Sequence, residues 1–364
     1  MAKWVRLLLG LALVMVLASP LFAKEQVVRV YNWSDYIDET VLDDFTRETG
    51  IKVVYDVYDS NEILETKLLT GKSGYDVVFP SGNFLARQIK AGVFQKLDRA
   101  QLPNWKNLDP QIMKRVEGYD PGNLYGVVYM WGTTGIAYND KLVKARMADA
   151  PVNSWSLVFD PAIIKTFADC GIFMLDAPDE MVPAVLNILG ENPDSKDPKV
   201  LAKAEPVLMG VRPYVRKFHS SETINAIANG DICLAVMWSG DAGIAASRAE
   251  EAGKDFKVHF SIPKEGAQMW FDLMAIPKDA PNSQAAHAFI NFLMRPEIIA
   301  RASNVVTYAN ANAAAKPFMN KEIVDNPVVY PPPDVQAKLF VITPFDQASQ
   351  RTLTRLWQKV KSGR

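Results

Sequence analysis

Cysteine and histidine are scarce in this chain: 364 residues hold two of the first and three of the second. Two cysteines exclude a disulfide-scaffold domain and a four-cysteine zinc site. His219, His259 and His287 lie too far apart in the chain for ligand-type spacing. Neither sign of charge is in excess, with 40 Lys+Arg against 41 Asp+Glu and a net charge of −1. That balance excludes the basic surplus expected of a protein that holds nucleic acid or anionic lipid. There is no G-x-S-x-G, no H-E-x-x-H and no G-x-G-x-x-G. Gly71-Lys72-Ser73 looks like the end of a phosphate-binding loop, but Thr66 stands where its first glycine is required. The segment also follows a helical pattern rather than a strand, so it reads as a helix stop. No catalytic residue, no metal site and no cofactor is therefore expected.

What is present is enough chain for two domains, each with its own core. Hydrophobic residues make up 49% and charged residues 22%, which argues against disorder. Lys3 and Arg6 precede an apolar run from Leu7 to Leu17, followed by Ser19, Pro20 and Leu21-Phe22-Ala23. That order reads as a secretory signal peptide over residues 1–23, cut near Ala23, with a core too short for a stable membrane span. The chain is expected to be exported and soluble. Export places Cys170 and Cys233 in an oxidising compartment, where one disulfide or two separate buried thiols are both open readings. Spacing alone does not choose between them.

The segment after the leader alternates strands and helices. Val27 to Tyr31 reads as a strand, Glu39 to Thr49 as a helix with Val41, Leu42 and Phe45 on one face, and Ile51 to Val57 as a second strand. Asn61 to Leu69 is helical, Tyr75 to Pro80 a short buried strand, and Phe84 to Lys90 the next helix. This order predicts an open α/β sheet, whose ligands sit beyond the carboxyl ends of its strands. Trp33-Ser34-Asp35-Tyr36 and Ser81-Gly82-Asn83-Phe84 fall at two such ends. A second α/β region begins after Met130 to Gly135, with a strand over Ile232 to Met237 and a helix over Gln284 to Met294. The chain finishes in a basic helix ending near Lys361. No repeats of supersecondary length occur. Asn32-Trp33-Ser34 matches a glycan acceptor, a pattern common by chance.

Three tryptophans, Trp33, Trp238 and Trp270, are followed within three residues by Asp35, Asp241 and Asp272. In a strand, Trp270 and Asp272 share a face. An indole beside a carboxylate suits an alkylammonium ion, by cation–π attraction and a charge-assisted hydrogen bond. Taken singly, each tryptophan is more often explained by core packing, and the strand-end position of Trp33-Ser34-Asp35 weighs against that for the first pair.

At these residues the sequence resembles the periplasmic polyamine-binding proteins of bacterial ATP-driven (ABC) importers, particularly the putrescine branch. The resemblance spans the chain beyond its leader. It is carried by Tyr31-Asn32-Trp33-Ser34-Asp35-Tyr36-Ile37, Thr49 to Asp56, Asp176-Ala177-Pro178, His219-Ser220-Ser221, Asn229 to Cys233 and Tyr308-Ala309-Asn310-Ala311-Asn312. It implies a two-lobed, type II venus-flytrap α/β fold with two interlobe crossings. Lobe one is expected at 24–131 plus 249–305 and lobe two at 135–246 plus 309–364, with hinge segments near 132–134, 247–248 and 306–308. It also implies the Cys170–Cys233 disulfide.

By the same resemblance, Trp33, Tyr36, Trp238, Trp270 and Tyr308 would wall a polyamine's methylenes, with Phe84 as a further wall residue. Ser34, Asp35, Ser81, Glu180, Asp241 and Asp272 would bond or neutralise its amines. Trp270 stands where putrescine binders of the family carry phenylalanine and spermidine binders carry tryptophan. Ala177 stands where a spermidine binder has an extra aspartate, and Asn83 replaces the usual serine of the putrescine branch. The expectation is a periplasmic monomer that captures spermidine or putrescine and delivers it to an inner-membrane ABC permease. A polyamine sensor that docks to a signalling partner is the first alternative, and an exported amine-acting enzyme the second.

Overall fold

The computed structural model describes residues 26–364, so the leader over 1–23 and its cut near Ala23 lie outside the described residues. Among the described residues ten strands are formed: β1 (Val27–Trp33), β2 (Lys52–Tyr58), β3 (Val77–Val78), β4 (Gly126–Asn139), β5 (Ile172–Met174), β6 (Lys217–Phe218), β7 (Leu234–Trp238), β8 (Val258–Ser261), β9 (Met269–Ala275) and β10 (Ala309–Asn310). Along the sheet their order is β2-β1-β3-β9-β4-β7-β5-β6, with β8 and β10 also paired to β4.

The first unit follows the expected pattern. Helix α1 (Thr40–Thr49) turns Val41 and Phe45 inward, and α2 (Asn61–Leu69) does the same with Leu64 and Leu68. These crossovers let β1 pair in parallel with both β2 and β3. The third strand is shorter than its apolar run suggests. After Val78 the chain turns toward β9 instead, where Leu273 N–H donates to the Pro80 carbonyl and Ser81 bridges Asp272. Helix α3 (Gly82–Lys90) starts directly after that bridge.

β4 joins the two lobes. Its first half, Gly126 to Thr133, runs antiparallel to β9, and its second, Thr134 to Tyr138, antiparallel to β7. The changeover falls between Thr133 and Thr134, within the run Gly132-Thr133-Thr134-Gly135. Small residues are required there. A Cβ on Gly132 would lie 2.7 Å from the Trp270 ring, and one on Gly135 would lie 2.5 Å from the Ser261 carbonyl.

The lobes interleave in sequence, but two of the expected hinge segments move. β8 pairs with Ile136–Asn139 in the second half of β4, so the chain returns to the first lobe after Ser261 rather than near 247–248. β10 pairs with Met130 and Trp131 in the first half, and Asn312 bridges Leu108, so the chain stays in that lobe past 306–308. Met319, Ile323 and Val329 pack into the core shared with Val30, Phe45 and Phe289, whereas Ile342, Leu353 and Trp357 pack with Ile172 and Val236. The chain changes from the first of these cores to the second between Val329 and Ile342. These moves arise because strand pairing, not sequence distance, decides which lobe a segment joins.

In the second lobe a disulfide joins Cys170 to Cys233, with the α-carbons 5.5 Å apart. Among the described residues no helix is long and apolar enough to cross a membrane. Asn32 is fully buried in β1, where its side-chain oxygen accepts the Trp33 N–H, a position closed to a glycan in the folded chain.

Candidate ligand-binding site

One cavity lies at the carboxyl ends of β1, β3 and β7 and along β9, between the lobes. Rings line it in a continuous edge-to-face series. Trp33 meets Trp238 at 5.6 Å between centroids, Trp238 meets Trp270 at 6.4 Å, Trp270 meets Tyr308 at 5.2 Å and Tyr308 meets Tyr36 at 5.3 Å. Each contact is close to T-shaped, which aligns ring edges with neighbouring faces and leaves π-faces available to a cation. Two indoles are fixed by their N–H groups: Trp33 donates to the Phe79 carbonyl at 2.9 Å, and Trp238 to Glu180 at 3.0 Å.

Three buried carboxylates stand among the rings. Asp272 accepts the Ser81 hydroxyl at 2.6 Å and the Tyr36 hydroxyl at 2.9 Å. Asp241 accepts the Tyr308 hydroxyl at 2.7 Å. Glu180 accepts the Thr134 hydroxyl and the Trp238 indole. Their hydrogen-bond donors are hydroxyls and an indole, which bring no full positive charge. Burial pushes the Glu180 carboxyl up to about 8, and the neighbouring Asp179 adds to the rise. Burial likewise raises Asp241 and Asp272 to about 7, against the pull of their hydroxyl donors. A cation placed between them would restore the charged forms, and a dication would do so at two points at once.

Of the residues expected in the site, Trp33, Ser34, Tyr36, Ser81, Glu180, Trp238, Asp241, Trp270, Asp272 and Tyr308 line this cavity together. Two do not. Asp35 sits in a turn at φ +53°, and its carboxylate pairs with the Arg248 guanidinium at 2.6 Å, outside the aromatic walls. Phe84 is buried within α3, its ring under the Arg87 guanidinium at 3.8 Å, because the helical turn after Asn83 carries it inward.

Sequence reasoning missed Tyr58, Asp59, Asn61, Asp179, Ser221, Ile224 and Gln268 on the lining, and treated Asn83 only as a departure from a family pattern. Asp179 had a local signal: it and Glu180 both occupy the first turn of the helix Pro178–Ile188, where acidic residues are favoured. Asn83 donates to Asp179 at 2.8 Å across the cleft. Asp35–Arg248 and a 3.0 Å bond from Arg87 to Gln350 are further polar contacts between the lobes. Among the described residues no group of three or more His, Cys, Asp and Glu is arranged to hold a metal ion.

The model of the bacterial extracellular solute-binding protein family matches residues 40–330. The chain is 54% identical over 343 residues to the putrescine-binding periplasmic protein SpuD of Pseudomonas aeruginosa, covering 94% of each. It is 49% identical over 364 residues to the putrescine-binding periplasmic protein PotF of Escherichia coli, covering 100% of this chain and 98% of that one. Among solved structures, the spermidine/putrescine ABC transporter substrate-binding protein PotD from Streptococcus pneumoniae superposes with a TM-score of 0.75. That match has 30% identity and covers 93% of this chain and 99% of the other.

Proposed function

The chain belongs to the bacterial extracellular solute-binding protein family, and from that premise we propose that it captures a short linear polyamine between its lobes and delivers it to an ABC permease. One observation carries the reading: a cavity walled by indole and phenol rings holds three buried carboxylates whose hydrogen-bond donors bring no positive charge. A protonated diamine supplies what these groups lack. Its ammonium ends neutralise the carboxylates, and its methylenes take the apolar ring surface.

The magnitudes suffice. A cation–π contact contributes roughly 0.5–2 kcal/mol and a hydrogen bond to a charged group about 1.5–3 kcal/mol. A few of each, after the cost of ordering, reach the ~8 kcal/mol of micromolar affinity.

Putrescine is the ligand we favour. The two putrescine-binding relatives are 54% and 49% identical, against 30% for the spermidine/putrescine protein. Ala177 also leaves out a carboxylate that a third ammonium would use. The indole at Trp270 is the observation on the side of spermidine, since its larger face covers a longer chain. The ten lining residues that were expected from sequence form the proposed ligand set, with Asp35 and Phe84 left out.

The relatives are periplasmic transport proteins, so this chain is an exported binding protein rather than an enzyme. They do not favour the signalling-sensor alternative. The leader ending near Ala23 supports cleavage on export, and both walls of the cavity come from one chain, which supports action as a monomer. Calorimetry with putrescine, cadaverine, spermidine and spermine tests the reading. Putrescine should bind at micromolar Kd or tighter. No heat with any of the four, together with binding of a sugar or an amino acid, would overturn it.

A further inference from the structure

Gln268 lines the cavity, is only 6% exposed, and its side-chain oxygen has no hydrogen-bond partner. A buried acceptor left unpaired is costly and uncommon in a folded protein. The backbone around it is, by contrast, held by three hydrogen bonds. The Ala267 carbonyl accepts the Phe340 N–H at 3.0 Å, the Gln268 carbonyl accepts the Thr134 N–H at 3.1 Å, and the Met269 N–H donates to the Phe340 carbonyl at 2.8 Å. The main chain is thus held in place, while the side-chain oxygen is left without a partner.

Its location names the group that completes it. Thr134, bonded to the Gln268 carbonyl, donates its hydroxyl to Glu180 and lies opposite Trp238, whose indole also binds Glu180. Gln268 therefore stands at the Glu180 end of the cavity. We propose that Gln268 is a ligand-selecting residue whose amide oxygen accepts an N–H from the ammonium group that Glu180 neutralises. This rests on the polyamine reading above.

A primary ammonium has three N–H donors and no acceptor, so it selects the amide oxygen over the amide NH2. One carboxylate takes its charge, and the neutral oxygen takes a second N–H without adding another negative charge to an acidic end. A tertiary ammonium has one N–H, which Glu180 takes, so it leaves this oxygen unpaired again and the end selects against it.

Putrescine calorimetry on the wild type, Gln268→Met, Glu180→Gln and the double variant tests the assignment. Met keeps a similar volume and removes the acceptor. It should weaken binding about tenfold while the ligand-free melting temperature stays unchanged. In the double variant the two effects should fall short of additive, because both groups hold the same ammonium. Gln268→Asn, which withdraws the amide by one methylene, should weaken binding as well and serves where the Met variant fails to fold. Wild-type affinity in both Gln268 variants, or full additivity with Glu180→Gln, overturns the assignment alone. A wild type that binds no polyamine overturns the functional reading beneath it.

Discussion

The carboxylate of Asp35, in the turn after β1, meets the guanidinium of Arg248 from the other lobe at 2.6 Å, and Arg248 reaches Asn225 at 2.8 Å with its other terminal nitrogen. Asp35 is thereby occupied at the rim of the cleft, whereas Asp241, Asp272 and Glu180 have no cationic partner among the described residues and are the carboxylates we propose for the ligand.

Asp35→Asn should raise the putrescine Kd by no more than about fivefold, because a pair this exposed is worth about 1 kcal/mol or less. The effect should shrink as salt is raised from low to physiological strength, since exposed charges are screened. Calorimetry across a salt series checks it.

Asp272→Asn removes the charge that faces the ligand while keeping the side chain's shape. The loss should be about 2–5 kcal/mol, or upward of thirtyfold in Kd. The ligand-free fold should be no less stable, because the wild-type carboxylate is itself disfavoured by burial. Thermal unfolding and calorimetry on the same sample separate the two.

Putrescine affinity should rise as pH increases through about 7 to 8. In the closed, ligand-free cavity Asp241 and Asp272 titrate at about 7 and Glu180 at about 8, so below those values binding must first expel protons. The ligand's ammonium groups, with pKa near ~10, stay charged throughout. For the closed form without ligand the sign is opposite. The folded pKa values lie above the unfolded ones, so this contribution to stability is present below about pH 4 and lost as pH rises through 7 to 8. Titrations in buffers of different ionisation enthalpy should show proton release at neutral pH.

Gly240→Ala should abolish tight binding. A Cβ there would lie 2.3 Å from the Tyr308 ring, which must then leave both Asp241 and the cavity wall. Overpacking of this kind costs about 1–3 kcal/mol of stability. A melting temperature and Kd equal to wild type would contradict the assigned position of Tyr308.

Replacing both Cys170 and Cys233 by serine should cost about 4 kcal/mol for a loop of 63 residues. Neither cysteine lines the cavity, so Kd should hold at temperatures where the variant remains folded. Chemical denaturation with and without reductant provides the measurement.

The βαβ unit at the start of the chain was legible because each of its elements follows from a local period. Strand, helix and strand there fall within one or two residues of the apolar pattern. The three indole–carboxylate pairs were also legible as types, and two of them, Trp238 with Asp241 and Trp270 with Asp272, reach the cavity whole. Trp33 reaches it without its aspartate.

Nothing near Asp35 foretells its pairing, because Arg248 lies 213 residues away. The same holds for Asn83 and Asp179, 96 residues apart, and for Gln268, whose neighbours Thr134 and Phe340 come from distant strands and loops. By itself the sequence determined which residues form strands and helices and which chemistry the binding groups carry, since both depend on side chains and their nearest neighbours. Tertiary structure alone decided which lobe each segment joins, which carboxylates are left without a cationic partner, and which acceptor is left open. Those outcomes depend on burial and on partners supplied by remote segments, and neither is encoded in local order.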